Sequence, residues 1–288
     1  MGENSQQMKA CIYCQGGEFD TVYQDARLQI VKCCSCGLVR QADYARTLAQ
    51  VNQVFANPEL YYETRSREEK RIIHFDAKKL ARTADIRSYI LHYLKPHSLL
   101  LDVGSGRGEF ASALQSGGLN VIGLEPDPVA AQYAREELSL NVEVGIYHPS
   151  AFEAERFEAI TFIQVLEHVE DPLETLQCAY RHLKPGGLLV VDVPSFNNPR
   201  ILIYRVTRQA RWVQGDFIIS HNYYFTRQTL SLLVKKAGFT VLQVLTGRYA
   251  VKFGAQYGFL RPLLWTVDKA TNTVGIGGIT LYAFKGTA

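Results

Sequence analysis

The stretch Leu99-Leu-Leu-Asp-Val-Gly-Ser-Gly-Arg-Gly-Glu-Phe110 constrains this chain more than any other segment. An apolar run, an acid and three alternating glycines imply a strand, a tight turn and the start of a helix. Glycines 104, 106 and 108 let the backbone turn without Cβ clashes, so that a ligand can lie against bare main chain at the carboxyl end of the strand. A dinucleotide fingerprint would want a glycine at 109, where Glu109 stands, and a pyrophosphate would sit badly against the carboxylate of Asp102. The acid favours a cationic ligand. The alternative is a purely structural β-to-α turn.

A second constraint lies near the start, where five of the six cysteines fall between residues 11 and 36. The spacing Cys11-x2-Cys14, then Cys33-x2-Cys36, is that of a zinc site, and Gly16 and Gly37 favour tight knuckle turns. We expect a small zinc-ribbon-like module over residues 1–45 with a structural Zn2+ held by Cys11, Cys14, Cys33 and Cys36. Disulfides are the competing reading, disfavoured in a reducing compartment. Cys34 is a spare thiol that could replace Cys33, but only Cys33 has the standard spacing to Cys36. Cys178, in a helical pattern, reads as a small buried hydrophobe.

At 288 residues and 47% hydrophobic, the chain has material for one large core plus that module. A net charge of +3 is too mild to predict a nucleic-acid partner. No apolar run is long enough to span a membrane, and the polar start lacks a secretory signal, so a cytoplasmic protein is expected. Residues 46–96 read as a helical linker: Ile72, Phe75, Leu80, Ile86, Ile90 and Leu94 form a stripe along a helix over 65–94 that ends before Pro96. From Ser98 onward short apolar strands alternate with helices, which implies a doubly wound, mostly parallel sheet. Strands are expected near 99–103, 120–125, 141–145, 158–164, 187–193, 239–246 and 279–285. Helices are expected near 107–117, 127–138, 172–183 and 227–237.

The second of these strands ends in Glu125, 21 residues beyond Gly104, where a carboxylate can accept hydrogen bonds from both hydroxyls of a ribose. Its alternative role is at the following helix entrance, where Pro126-Asp127-Pro128 offers Asp127 as N-cap. Two further segments follow in order: Phe157-Glu-Ala-Ile-Thr-Phe-Ile-Gln-Val-Leu-Glu-His-Val-Glu-Asp-Pro172 and Leu183-Lys-Pro-Gly-Gly-Leu-Leu-Val-Val191. Together with the glycine loop they resemble the class I S-adenosylmethionine-dependent methyltransferases, from about Tyr61 onward. The resemblance implies a seven-stranded Rossmann-like α/β fold over residues 97–288 and S-adenosyl-L-methionine as cofactor, a cation without phosphate. It implies cofactor contacts from Asp102, Gly104, Ser105, Gly106, Glu125 and Pro126, with Gln164 and Val165 on the methionine side. Glu167 and His168 would then face the substrate opening, and Tyr61 and Tyr62 would cover the cofactor. In related ubiquinone-pathway O-methyltransferases a Glu-x2-Glu-His set can bind a divalent cation; here the first acid is Gln164.

Between the fifth strand and the next helix lies an insertion of about 194–226, where this fold builds a substrate lid. Arg200, Arg205, Arg208 and Arg211 occur in it with no acid between Ser195 and Gly215, which suggests an anionic acceptor, nucleotide- or lipid-phosphate-linked; a solvated basic face is the alternative. His168 and His221 are the candidate general bases, and Tyr223 and Tyr224 candidate acceptor-orienting groups. The reading is a small-molecule methyltransferase acting on a hydroxyl of a sugar or secondary metabolite. Sugar C-methylation, RNA methylation with the zinc module as docking element, and a cofactor-binding interaction protein are its alternatives. Residues 1–60 are not markedly basic, which makes RNA the weaker choice.

Overall fold

In this computed structural model the described residues are 10–26, 28–43, 83–197, 201, 207, 220–246 and 278–287. The apolar runs become strands whose side chains alternate between two buried faces. β4 (Leu99–Val103) sends Leu101 and Val103 to one face and Leu100 to the other, and later in the chain Leu189, Val191 and Val193 oppose Leu188 and Val190. Around β4 lie β5 (Asn120–Glu125), β6 (Asn141–Val144), β7 (Phe157–Ile163), β8 (Leu183–Pro194), β10 (Thr240–Thr246) and β11 (Gly278–Phe284). The order is β10-β11-β8-β7-β4-β5-β6, and β11 alone runs against its neighbours. The seven-stranded, mostly parallel Rossmann-like sheet is therefore present, with strand bounds close to those expected.

Helices cover both faces, and their starts follow the local chemistry. α1 (Ala84–Tyr93) and α2 (Glu109–Ser116) pack on each other, while α3 (Pro128–Leu138) and α4 (Pro172–His182) each begin with proline behind an aspartate cap. Asp127 accepts from the Val129 N–H, and Asp171 from those of Leu173 and Glu174. α5 (Arg227–Lys236) opens on a capping box between Thr226 and Thr229. Of the helix expected over 65–94, the part before residue 83 lies outside the described residues, as do Tyr61, Tyr62, Arg200, Arg205, Arg208 and Arg211.

The chain leaves β4 for β5 and β6, then returns to β7 on the other flank of β4. That reversal opens a crevice at the carboxyl ends of β4, β5 and β7, where the glycine loop lies.

The cysteine module forms a second sheet. β1 (Phe19–Gln24), β2 (Gln29–Cys33) and β3 (Val39–Gln41) make an antiparallel meander, and β9 (Tyr223–Tyr224), far along the chain, adds the fourth strand beside β3. Cys11, Cys33 and Leu38 are fully buried in the same apolar cluster as Leu176, Leu230 and Leu233. The module thus shares both a sheet and a core with the larger layer.

Candidate active site

The glycine loop is stitched to the neighbouring strand: Gly104 and Ser105 donate their N–H groups to the Leu124 carbonyl, at 2.7 and 3.2 Å. Gly104 adopts φ +67°, and a Cβ there would stand 2.4 Å from Val165 Cγ2, so any side chain would be strained and would force Val165 to shift. Asp102 is buried beneath the loop and accepts from Thr161 Oγ1 at 2.6 Å. Glu125 is also buried, with Oε2 accepting from the Gly106 N–H (2.7 Å) and Oε1 from the Asp127 N–H (3.0 Å). Because Asp127 caps the helix itself, Glu125 is held at the strand end as part of the loop wall.

β7 ends in Gln164, a non-glycine residue at φ +58°. Such a backbone costs about 1 kcal/mol or more and persists where the surroundings impose it. Here Asp192 does so: its carbonyl accepts the Gln164 N–H (2.8 Å), its Oδ2 accepts from Gln164 Nε2 (2.9 Å), and its Oδ1 takes the Thr280 hydroxyl (2.6 Å). Asp192 escaped the sequence reading, although a lone acid inside the apolar run Leu188–Val193 was a signal.

Past Gln164 the turn brings a carboxylate and two imidazoles together. The ligand-type atoms of Glu167, His168 and His221 all lie within 4.8 Å of one another, and the two rings meet edge to face at 4.7 Å. Glu167 is 1% exposed, and neither of its carboxylate oxygens has a hydrogen-bond partner among the described residues. Burial, reinforced by the Asp192 charge, pushes its carboxyl up to about 8. Burial and then the neighbouring His168 bring His221 down to about 3, so its ring is neutral near pH 7. His168 is different, being 40% exposed in its side chain. Its Nδ1 lies 2.7 Å from the Ser220 carbonyl, which can only accept; Nδ1 therefore carries a proton, and in the neutral ring Nε2 offers its lone pair. Of the two tyrosines expected to orient the acceptor, both have buried rings: the Tyr223 hydroxyl donates to the Glu170 carbonyl, and the Tyr224 ring lies 5.9 Å from that of His221.

These residues suit S-adenosylmethionine by their chemistry. Two carboxylates, Asp102 and Glu125, stand at adjacent strand ends, and the loop's one basic group, Arg107, lies over the Tyr133 ring at 4.3 Å. The donor set repels phosphate and suits a cationic nucleoside with free ribose hydroxyls.

The sequence matches a methyltransferase domain family over residues 72–244. This chain belongs to that methyltransferase family. Similar proteins include the ubiquinone biosynthesis O-methyltransferase of Actinobacillus pleuropneumoniae, 38% identical over 100 residues, covering 31% of this chain and 43% of the relative. Its counterpart in Cereibacter sphaeroides is 30% identical over 149 residues, 48% of this chain and 59% of the relative. The chain thus spans about half the length of the curated relatives it matches. Among solved structures, a SAM-dependent methyltransferase from Archaeoglobus fulgidus superposes with a TM-score of 0.52 at 16% identity, covering 73% of this chain and 95% of that one. This last likeness is one of fold. Among the described residues no helix is long and apolar enough to cross a membrane.

The four cysteines of this chain converge as their spacing predicts. Cys11 Sγ lies 3.5 Å from Cys36 Sγ and Cys14 Sγ 3.5 Å from Cys33 Sγ, too far for disulfide bonds, and all four sulfurs fall within 4.8 Å of one another. A tetrahedral zinc about 2.3 Å from each sulfur needs sulfurs about 3.8 Å apart, so the donor set fits the ion. Cys34 is exposed and stays outside this group, while Cys178 is buried as expected.

Proposed function

We propose that this chain transfers the methyl group of S-adenosylmethionine to a hydroxyl of a small molecule, with Zn2+ in the four-cysteine site as a structural ion. The observation that carries the reading is His168, whose Nδ1 is tethered to the Ser220 carbonyl and whose Nε2 keeps a free lone pair in the neutral ring that burial favours. When bound, the sulfonium supplies an already activated methyl group; the protein has to align the acceptor, exclude water and take a proton. Glu125 would hold the ribose hydroxyls, the 104–106 loop would lie along the adenosine, and Gln164 and Val165 would flank the methionine side. His168 Nε2 would remove the hydroxyl proton as oxygen attacks the methyl carbon. His221, buried and neutral, suits bracing His168 better than acting as the base.

The relatives' name supports an oxygen acceptor over a carbon one and lends no support to a sugar. The arginines from Arg200 to Arg211 favour an acceptor with a negative group, and rising salt would then raise its KM. Calorimetry and turnover test the reading together. The parent should bind S-adenosylmethionine, Glu125→Ala should weaken that binding, and His168→Gln should keep it while losing roughly 100-fold or more in kcat. Tight NAD binding with no response to S-adenosylmethionine would overturn the assignment. Loss of turnover on removing added divalent cations, with the cysteine-bound zinc retained, would give Glu167 and the two histidines to a cation instead.

A further inference from the structure

One side of the segment that carries His221 is held by the cysteine module. β3 begins three residues after Cys36, and the knuckle hydrogen bonds Gly37 N–H to Cys33 carbonyl and Cys33 N–H to Leu38 carbonyl fix how it leaves the metal site. β3 then pairs with β9, Val39 opposite Tyr224 and Arg40 opposite Tyr223. Its last residue, Gln41, is 3% exposed and grips the segment before β9 twice. The Gln41 backbone N–H donates to the Asn222 carbonyl (3.0 Å), and its side-chain Nε2 to the His221 carbonyl (2.8 Å). From the other side the same segment is held by the 167–170 turn. Asn222 and Tyr223 donate their N–H groups to the Glu167 carbonyl, at 2.8 and 3.1 Å, and Asn222 Nδ2 reaches the His168 carbonyl at 2.7 Å.

We propose that Gln41 is a positioning residue that registers the four-cysteine module against His221, so that the acceptor half of the site is built on the module while the cofactor half is not. The inference rests on the methyl-transfer reading for the word acceptor, and on geometry for the rest. Residues 104–106 and Glu125 hydrogen-bond among themselves and to Leu124 and Asp127, and none of those bonds leads to the module. The acceptor side has no such independence: the consecutive carbonyls of His221 and Asn222 both accept from one glutamine.

Gln41→Glu replaces the donating amide by an oxygen that repels the His221 carbonyl at unchanged size, and Gln41→Met removes the donor without adding charge. Both are read in the full-length, zinc-loaded chain by histidine ring NMR, zinc content and S-adenosylhomocysteine calorimetry. We expect zinc to stay bound and S-adenosylhomocysteine affinity to stay within about twofold. The ring resonances of His168 and His221 should move while those of His92, His97, His148 and His182 hold. Stripping zinc from the parent should shift the same two rings. Unmoved His168 and His221 rings in a folded variant, or shifts spread over all the histidines, would overturn the proposal. If Gln41→Glu fails to fold, Gln41→Met decides it. A parent that does not bind S-adenosylhomocysteine tells against the methyltransferase reading alone, because the ring shifts are measured without the cofactor.

Discussion

Glu167 is the residue with the most at stake for its surroundings. Its carboxyl would ionise near pH 4.5 in the unfolded chain but holds its proton up to about 8 when folded. Its contribution is therefore fully present below about pH 4.5 and lost as the pH climbs towards 8. Glu167→Gln stays neutral throughout, so the difference in stability between variant and parent should grow as the pH rises across that window and reach on the order of a few kcal/mol in the variant's favour at pH 8, measured by urea denaturation of both at each pH. At the glycine loop the effect runs the other way. Gly104→Ala adds a Cβ 2.4 Å from Val165 Cγ2 on a left-handed backbone, and should cost roughly 1–3 kcal/mol and weaken S-adenosylmethionine binding. The positions of Asp102, Gly104 and Glu125 at the strand ends and in the loop could be read from sequence, because they follow from local spacing. Gln41, Asp192 and Asn222 could not, because each acquires its role only through a partner brought close by the fold.

At the level of elements, the parallel core was legible because its central strands are apolar runs closed by a glycine or an acid, and two of the helices open on an aspartate cap followed by proline. β3 and β9 were not. They have three and two residues, too few to show a period, and their pairing has no local sequence signal. The four-cysteine site was legible from spacing, since each pair supplies its own turn. Metal analysis should give one zinc per chain, and Cys11→Ser should raise hydrogen exchange through β1 to β3. Because β9 is the fourth strand of that sheet, Tyr223 and Tyr224 should lose protection along with them.

For the whole molecule, the shared sheet means that residues 1–43 are not a removable appendage. Deleting them would uncover the apolar surface that Cys11, Cys33 and Leu38 cover and strip β9 of its neighbour, so the shortened chain should melt lower and aggregate, as light scattering on heating would show. The pairing also sets an order of events during synthesis. Gln41 leaves the ribosome long before the His221 carbonyl it binds, which lies 180 residues later. At the rates at which ribosomes elongate, on the order of 5–20 residues per second, the cysteine hairpins wait roughly 10 s or more for their last strand. Early metal capture would then serve as a clasp that keeps four thiols from oxidation and one sheet edge from straying until β9 arrives.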